Sequence, residues 1–222
     1  MDLNPLVPDI LFQVGPVPIS RAVVTTWVIM ALMSVFAVAA LRSSPQEDGP
    51  MASVLEIVID GIASQIEEII GRDPWPYLPL LGSLFLFVAL ANLAAIVPGG
   101  SPPTGHIETP AALALIVFAS VHYFGIQERG PKAYFRHYIQ PNPLLLPLNV
   151  LSELTRTFSL MIRLFGNMMS HEFVIAIVLV LAGLFVPIPF MLLGILIGLV
   201  QAYIFTILAT VYIGAAVSGQ EG

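Results

Sequence analysis

Leu160-Met161-Ile162-Arg163-Leu164-Phe165-Gly166-Asn167-Met168-Met169-Ser170-His171-Glu172 is the stretch on which the fold turns. It lies inside an apolar run from about 147 to 183, so Arg163 has apolar neighbours far to either side. A fixed positive charge deep in a bilayer costs on the order of 2.5–3.5 kcal/mol even on lenient insertion scales. Such a group persists where it faces a partner or a wet path, which makes Arg163 a functional-site candidate. The plainer alternatives are a buried ion pair and a side chain snorkelling to the interface. They fit Arg156 better, because it stands nearer the start of the run.

The composition around this stretch is that of an all-α membrane protein. Hydrophobic residues make up 57% of the 222 and charged residues only 10%, where a soluble domain carries about a quarter. Mean hydropathy is +0.91. With no cysteine, neither a disulfide framework nor a thiolate metal site is open to the chain. Lys132 is the only lysine, which excludes a Gly-Lys-Ser/Thr phosphate loop. The net charge of −6 comes with no basic patch for nucleic acid. The start, Met1-Asp2-Leu3-Asn4-Pro5, lacks the basic n-region of a cleaved targeting segment. A bacterial inner (plasma) membrane is the expected location.

Outward from the arginine, the chain reads as one integral membrane domain over 1–222. Membrane helices are expected at 19–41, 78–97 and 110–126, then a long arginine-bearing helix at 148–183 and a last helix at 190–217. That makes about five spans. The 52–71 segment differs in kind. Leu55, Ile59, Ile62, Ile66 and Ile69 recur at helical spacing, while Glu56, Asp60, Ser64, Glu67 and Glu68 fill the other face. It reads as an amphipathic interfacial helix whose acidic side is a solvated face rather than a cation site. About 35 residues at 1.5 Å each exceed 50 Å, so the arginine helix is too long to stand upright. It has to tilt, break or protrude, and with the last helix it forms an over-length hairpin. Placing the N-terminus outside and the C-terminus in the cytoplasm puts Arg42, Arg72, Arg129, Lys132 and Arg136 on the inner side. Only Arg21 is then left outside.

At 100° per residue, Glu153, Arg156, Ser159, Arg163, Asn167 and Ser170 share one stripe of the long helix, with His171 at its edge. Glu172 projects to the opposite side. A histidine titrates near neutrality and a desolvated glutamate can approach it, so the His171-Glu172 pair suits a proton relay. The plain alternative is an interfacial cap where the helix leaves the bilayer. On the last helix Gly194, Gly198, Gln201 and Phe205 share a face, and the glycine spacing marks close helix packing. If the hairpin turns about Pro187–Pro189, Gln201 reaches the depth of Arg163. Its amide oxygen could then orient the guanidinium without neutralising it. Asn92 and His122 read first as hydrogen bonders between helices.

The hexapeptide Arg163-Leu164-Phe165-Gly166-Asn167-Met168, with Glu172 nine residues past the arginine, resembles the signature helix of subunit a of F-type ATP synthases. Gln201-Ala202-Tyr203-Ile204-Phe205, followed by Val211-Tyr212, is similar to that family's last helix, and Asn92-Leu93-Ala94-Ala95-Ile96-Val97-Pro98 to its Asn-Leu-x-x-x-x-Pro element. The resemblance covers the chain from about Pro76 onward; the N-terminal third matches only in layout. It implies a non-catalytic stator subunit of the Fo sector, with ATP chemistry on other subunits and no cofactor. Its partners would be a c-subunit ring, peripheral-stalk b subunits, the remaining subunits and membrane lipid. Two offset half-channels would carry H⁺ or Na⁺ to a rotor carboxylate faced by Arg163. Asn92, Asn167, Ser170, His171, Glu172 and Gln201 would line the ion path. The chain departs from the pattern at Ala95, where some relatives carry an acidic residue. It departs again at Gly194, where an ionisable residue often sits, while His171 stands beside Glu172. The histidine looks exchanged between helices, as in some branches of that family, and the short N-terminal region and acidic surface helix point to a divergent bacterial branch.

Two other function classes compete. A stand-alone secondary transporter or channel using Arg163 to bind an anionic substrate would call for repeats or broken helices, and neither is visible. An intramembrane enzyme would call for a catalytic or metal constellation, but His106, His122, His137 and His171 are scattered.

Overall fold

The structure is a computed structural model that describes residues 10–14, 17–42, 50–96, 102–139, 144, 146–183 and 186–218. The acidic start of the chain, most of the 43–50 linker, residues 97–101 and Pro141 and Pro143 lie outside the described residues.

Among the described residues, seven α-helices carry the fold. They are α1 (Arg21–Arg42), α2 (Pro50–Ile70), α3 (Leu78–Leu93), α4 (Glu108–Arg129), α5 (Pro131–Ile139), α6 (Leu146–Ala182) and α7 (Pro187–Ser218). The expected helices are all present, with ends moved by up to a turn. Three features depart from the sequence expectation. Two short strands, β1 (Ile10–Val14) and β2 (Val17–Ser20), pair antiparallel ahead of α1. The span expected at 78–97 stops at Leu93 and runs on as a 3₁₀ turn, Ala94–Ile96. The basic segment after α4 is not all loop: Gly130, at φ 76°, ends α4, and Pro131 starts the nine-residue helix α5.

Local chemistry accounts for these ends. Glu108 in the first turn of α4 and Arg129 in its last complement the helix dipole. Pro79 sits in the first turn of α3, where its missing N–H costs nothing. By length and composition α4, α6 and α7 can each cross a bilayer, while α1 and α3 are apolar over shorter stretches, Arg21–Val35 and Leu78–Leu93. At 16 residues α3 reaches about 24 Å, short of a hydrocarbon core of about 30 Å without the turn that follows it.

The core lies where α3, α4, α6 and α7 meet, around Leu81, Val88, Val117, Leu160, Leu164, Phe205, Ala209 and Ile213. Along α7, Gly198, Ala202, Ala209 and Gly214 are buried, and their small side chains let neighbouring backbones come close. The acidic face of α2 is exposed at Glu56, Asp60, Glu67 and Glu68, while Ile66 and Ile70 are buried against the core. Outward faces of α6 and α7 expose Leu151, Leu154, Phe158, Ile162, Leu192 and Leu196. In water such surface would drive aggregation; against lipid or an apolar partner it is the expected exterior.

α6 runs unbroken for 37 residues, or about 55 Å. Gly183, at φ 77°, follows its end, and α7 returns antiparallel. This hairpin sets the depth of every polar group below.

Candidate functional site

Arg163 is half-exposed on α6. Among the described residues it has neither a hydrogen bond nor an ion pair. Ser159, Asn167 and Ser170, which share its stripe, are also exposed. Leu160 and Leu164, a half-turn or so away, are fully buried and hold the helix against the core. The polar stripe therefore faces away from the subunit's own core, with a bare guanidinium near its middle.

The α6–α7 register places Gln201 one turn from where the sequence suggested. Asn167 Nδ2 donates to Gln201 Oε1 at 2.6 Å, and the Arg156 guanidinium lies 5.8 Å from the centre of the Tyr212 ring. These two contacts set Arg163 at the level of Phe205. The expected pairing of Gln201 with Arg163 is replaced by pairing with Asn167, because α6 and α7 pack four residues away from the register that the expected pairing needs. Gln201 is 3% exposed, and its Nε2 is buried without a hydrogen-bond partner among the described residues. It borders a cavity of about 10 Å³, close to the room one water needs, that Asn92, Asn167 and His171 also line.

Beyond Gln201 the polar groups continue toward the Gly183 end. Asn92 on α3 donates from Nδ2 to the Gly198 carbonyl at 2.8 Å and accepts at Oδ1 from Thr104 Oγ1 at 2.7 Å. One buried amide thus ties α3, α7 and the 3₁₀ turn Pro103–Gly105 together. Gly198 has no room for a side chain, since a Cβ there would lie 2.8 Å from Asn92 Cβ. His171 fills the notch left by Gly194, and any Cβ on Gly194 would collide with its imidazole. Glu172 turns the other way, over Gly105: a Cβ on that residue would stand 3.0 Å from Oε1 and 3.1 Å from Oε2.

Of the residues singled out from the sequence, Asn92, Asn167, His171 and Gln201 come together around the small cavity, and Glu172 sits beside them on the far face of α6. Ser170 is exposed and makes no hydrogen bond among the described residues. The sequence passed over Thr104 and Gly105, because a Gly/Pro/Ser/Thr loop carries no periodicity to mark them. It also read Gly198 only as a packing glycine. Lower on α6, Glu153 and His122 approach each other to 3.6 Å, Glu153 Oε1 to His122 Nε2. Polar groups therefore gather near both ends of the α6–α7 hairpin, with Arg163 between them.

A permanent cation thus stands on α6 with carboxylate and imidazole groups toward either end of the hairpin. Among the described residues, no group of three or more His, Asp or Glu side chains could hold a metal.

The profile of the family described as ATP synthase A chain matches residues 23–214. A protein named ATP synthase subunit a 2 from Bradyrhizobium sp. is 58% identical over 220 residues, covering 98% of this chain and 97% of the relative. One of the same name from Pelobacter propionicus is 45% identical, covering 95% and 92%. ATP synthase subunit a from Nitrosospira multiformis is 46% identical, covering 94% and 84%.

Proposed function

The chain belongs to the ATP synthase A chain family, and on that premise we propose that it is the stator that carries ions past the rotor in the Fo sector. In this role Arg163 faces a carboxylate on a ring of c subunits. Two half-channels, one from each end of the α6–α7 hairpin, lead ions to and from that carboxylate. Peripheral-stalk b subunits hold the chain against the torque, and ATP is made or split on other subunits. The N-terminus lies outside a bacterial inner membrane and the C-terminus in the cytoplasm.

The observation that carries this proposal is the state of Arg163, half-exposed and unpartnered among the described residues on the outward stripe of α6. An isolated buried charge is strongly unfavourable. A guanidinium left open toward an apolar exterior therefore calls for a partner on another chain. A rotor carboxylate supplies it, because a cation that stays protonated at any physiological pH pulls a nearby carboxyl into its charged form. The same fixed charge repels a cation trying to pass directly between the half-channels.

The cluster of Asn92, Asn167, His171, Glu172 and Gln201 forms the outer half-channel. Two measurements test this. The intact complex, solubilised mildly, will copurify with a ring of a very small two-helix proteolipid; ion transport by the purified chain alone would refute the stator role in favour of a self-contained carrier. Single cysteines at 171 and 172, in a chain with no native thiol, will react with a membrane-impermeant reagent added outside. Labelling only from the inside would overturn the half-channel assignment and the topology together.

Gln201 acts through Asn167. Gln201→Leu removes the acceptor at 2.6 Å from the exposed Asn167 amide, a loss of about 0.5–1.5 kcal/mol. ATP-driven pumping is expected to weaken several-fold without the full loss caused by removing Arg163. Pumping unchanged in Gln201→Leu, measured as quenching of a pH-sensitive dye in sealed vesicles, would contradict that role.

A further inference from the structure

The lower half of α6 carries a second polar assembly. Glu153 lines two cavities. One, of about 180 Å³, is also bounded by Phe118, His122, Tyr134 and Leu146. The other, of about 30 Å³, is bounded by Val117, Val121, Arg156, Thr157 and Tyr212. The larger has room for several waters and the smaller for one or two. Glu153 thus stands in the wall between a vestibule and a chamber that reaches Arg156, seven residues or about 10.5 Å of helix below Arg163. Resting on the stator reading above, we propose that His122 and Glu153 form the proton relay of the inner half-channel.

The geometry gives the pair its direction. His122 Nδ1 lies 2.8 Å from the Phe118 carbonyl oxygen and so carries a proton that it donates there. That assignment leaves the Nε2 lone pair of the neutral ring facing Glu153 Oε1 at 3.6 Å, a gap that a small rotamer change closes. A proton held on a Glu153 oxygen can pass to Nε2, giving imidazolium and carboxylate. Its return restores a neutral ring and a protonated carboxyl, so one proton moves and no other bond changes. The charged and titratable groups facing the pair are Arg156 on α6, Tyr134 on α5 and Tyr212 on α7. Arg156, held over the Tyr212 ring, places a second cation on the far side of Glu153.

Tyr134 keeps the vestibule in shape. It is 2% exposed, its ring meets the His122 ring edge-on at 5.9 Å, and it fills a notch that exists because residue 125 is glycine. A Cβ on Gly125 would run into the tyrosine ring. The short helix α5, held by Tyr134 over Gly125, is therefore a positioning element that walls the vestibule.

The test uses the complete complex in sealed vesicles, with assembly scored by copurification. Glu153→Gln is expected to slow ATP-driven proton pumping about tenfold or more, the scale of a lost proton-transfer group. Glu153→Asp should keep most of the rate, and it serves as the variant if Glu153→Gln fails to assemble. His122→Gln should also slow pumping. The exchange His122→Glu with Glu153→His should recover at least half the native rate, which a merely structural contact would not do. Single cysteines at 122 and 153 should react with an impermeant thiol reagent only from the face opposite to that which labels 171 and 172. Native pumping by Glu153→Gln and His122→Gln, in vesicles where Arg163→Ala is dead, overturns the relay alone. Labelling of 153 from the same face as 172 does so too. Native pumping by Arg163→Ala would instead remove the stator reading on which the relay rests.

Discussion

Arg163→Ala will reduce ATP-driven ion pumping below about one hundredth of the native rate, while the complex still assembles. A hundredfold loss corresponds to about 2.7 kcal/mol of barrier. The side chain makes no internal hydrogen bond or ion pair among the described residues, so its removal breaks nothing inside the subunit. The helix stays in place through Leu160 and Leu164, which are buried at 1% and 0% exposure. On the proposed stator role, what disappears is the permanent charge that would keep ions from leaking between half-channels and would face the rotor carboxylate. Arg163→Lys will fail nearly as completely, because a compact ammonium lacks the planar fork and gives up its proton more readily when desolvated. Normal dye quenching in vesicles carrying Arg163→Ala would sink this account. A variant that fails to copurify with its partners would instead point to a structural role for the guanidinium.

The second large effect is expected at Gly194. The His171 imidazole occupies the space where any side chain at 194 would begin. Gly194→Leu will therefore force His171 out of its notch or push α7 away from α6, at a cost of about 1–3 kcal/mol. Pumping should fall by more than about tenfold, because the displaced ring borders the cavity shared with Asn92, Asn167 and Gln201. Gly194→His alone should do the same. The double exchange His171→Gly with Gly194→His should regain much of the activity, since an imidazole then fills the same gap from the other helix. An active Gly194→Leu complex of native thermal stability would show that the notch has no such role. A double exchange no better than Gly194→His would show that the imidazole works only from α6.

These two residues also mark how far the sequence could be read. Arg163 stood out because a charge in an apolar run is costly wherever the run goes, and that cost needs no coordinates. The long helix was legible for the same kind of reason: its apolar residues continue too far for any other element, and α6 runs from Leu146 to Ala182 as one helix. Periodicity likewise separated the amphipathic α2 from the spans, although it missed the terminal strands and α5. Short elements bury little and leave only a few residues of pattern. The nine residues of α5 are placed by the packing of Tyr134 rather than by a repeat.

Depth and partnership belonged to the tertiary structure. A helix period says which residues share a stripe, but the offset between two antiparallel helices depends on where the chain turns. The register in which α6 and α7 pack gave Gln201 to Asn167 and set Arg163 at the level of Phe205. Nor could any local pattern join His171 to Gly194, Glu172 to Gly105 or His122 to Glu153, residues distant in the chain whose meeting depends on how α3, α4, α6 and α7 pack. Sequence alone determined that an arginine lies deep in the apolar run of a helix of unusual length, because the solvation cost of charge and the rise of a helix are properties of the chain itself. Only the packed helices decided that this arginine is left open between two polar clusters, because close approach depends on glycine notches that have no meaning until another helix fills them.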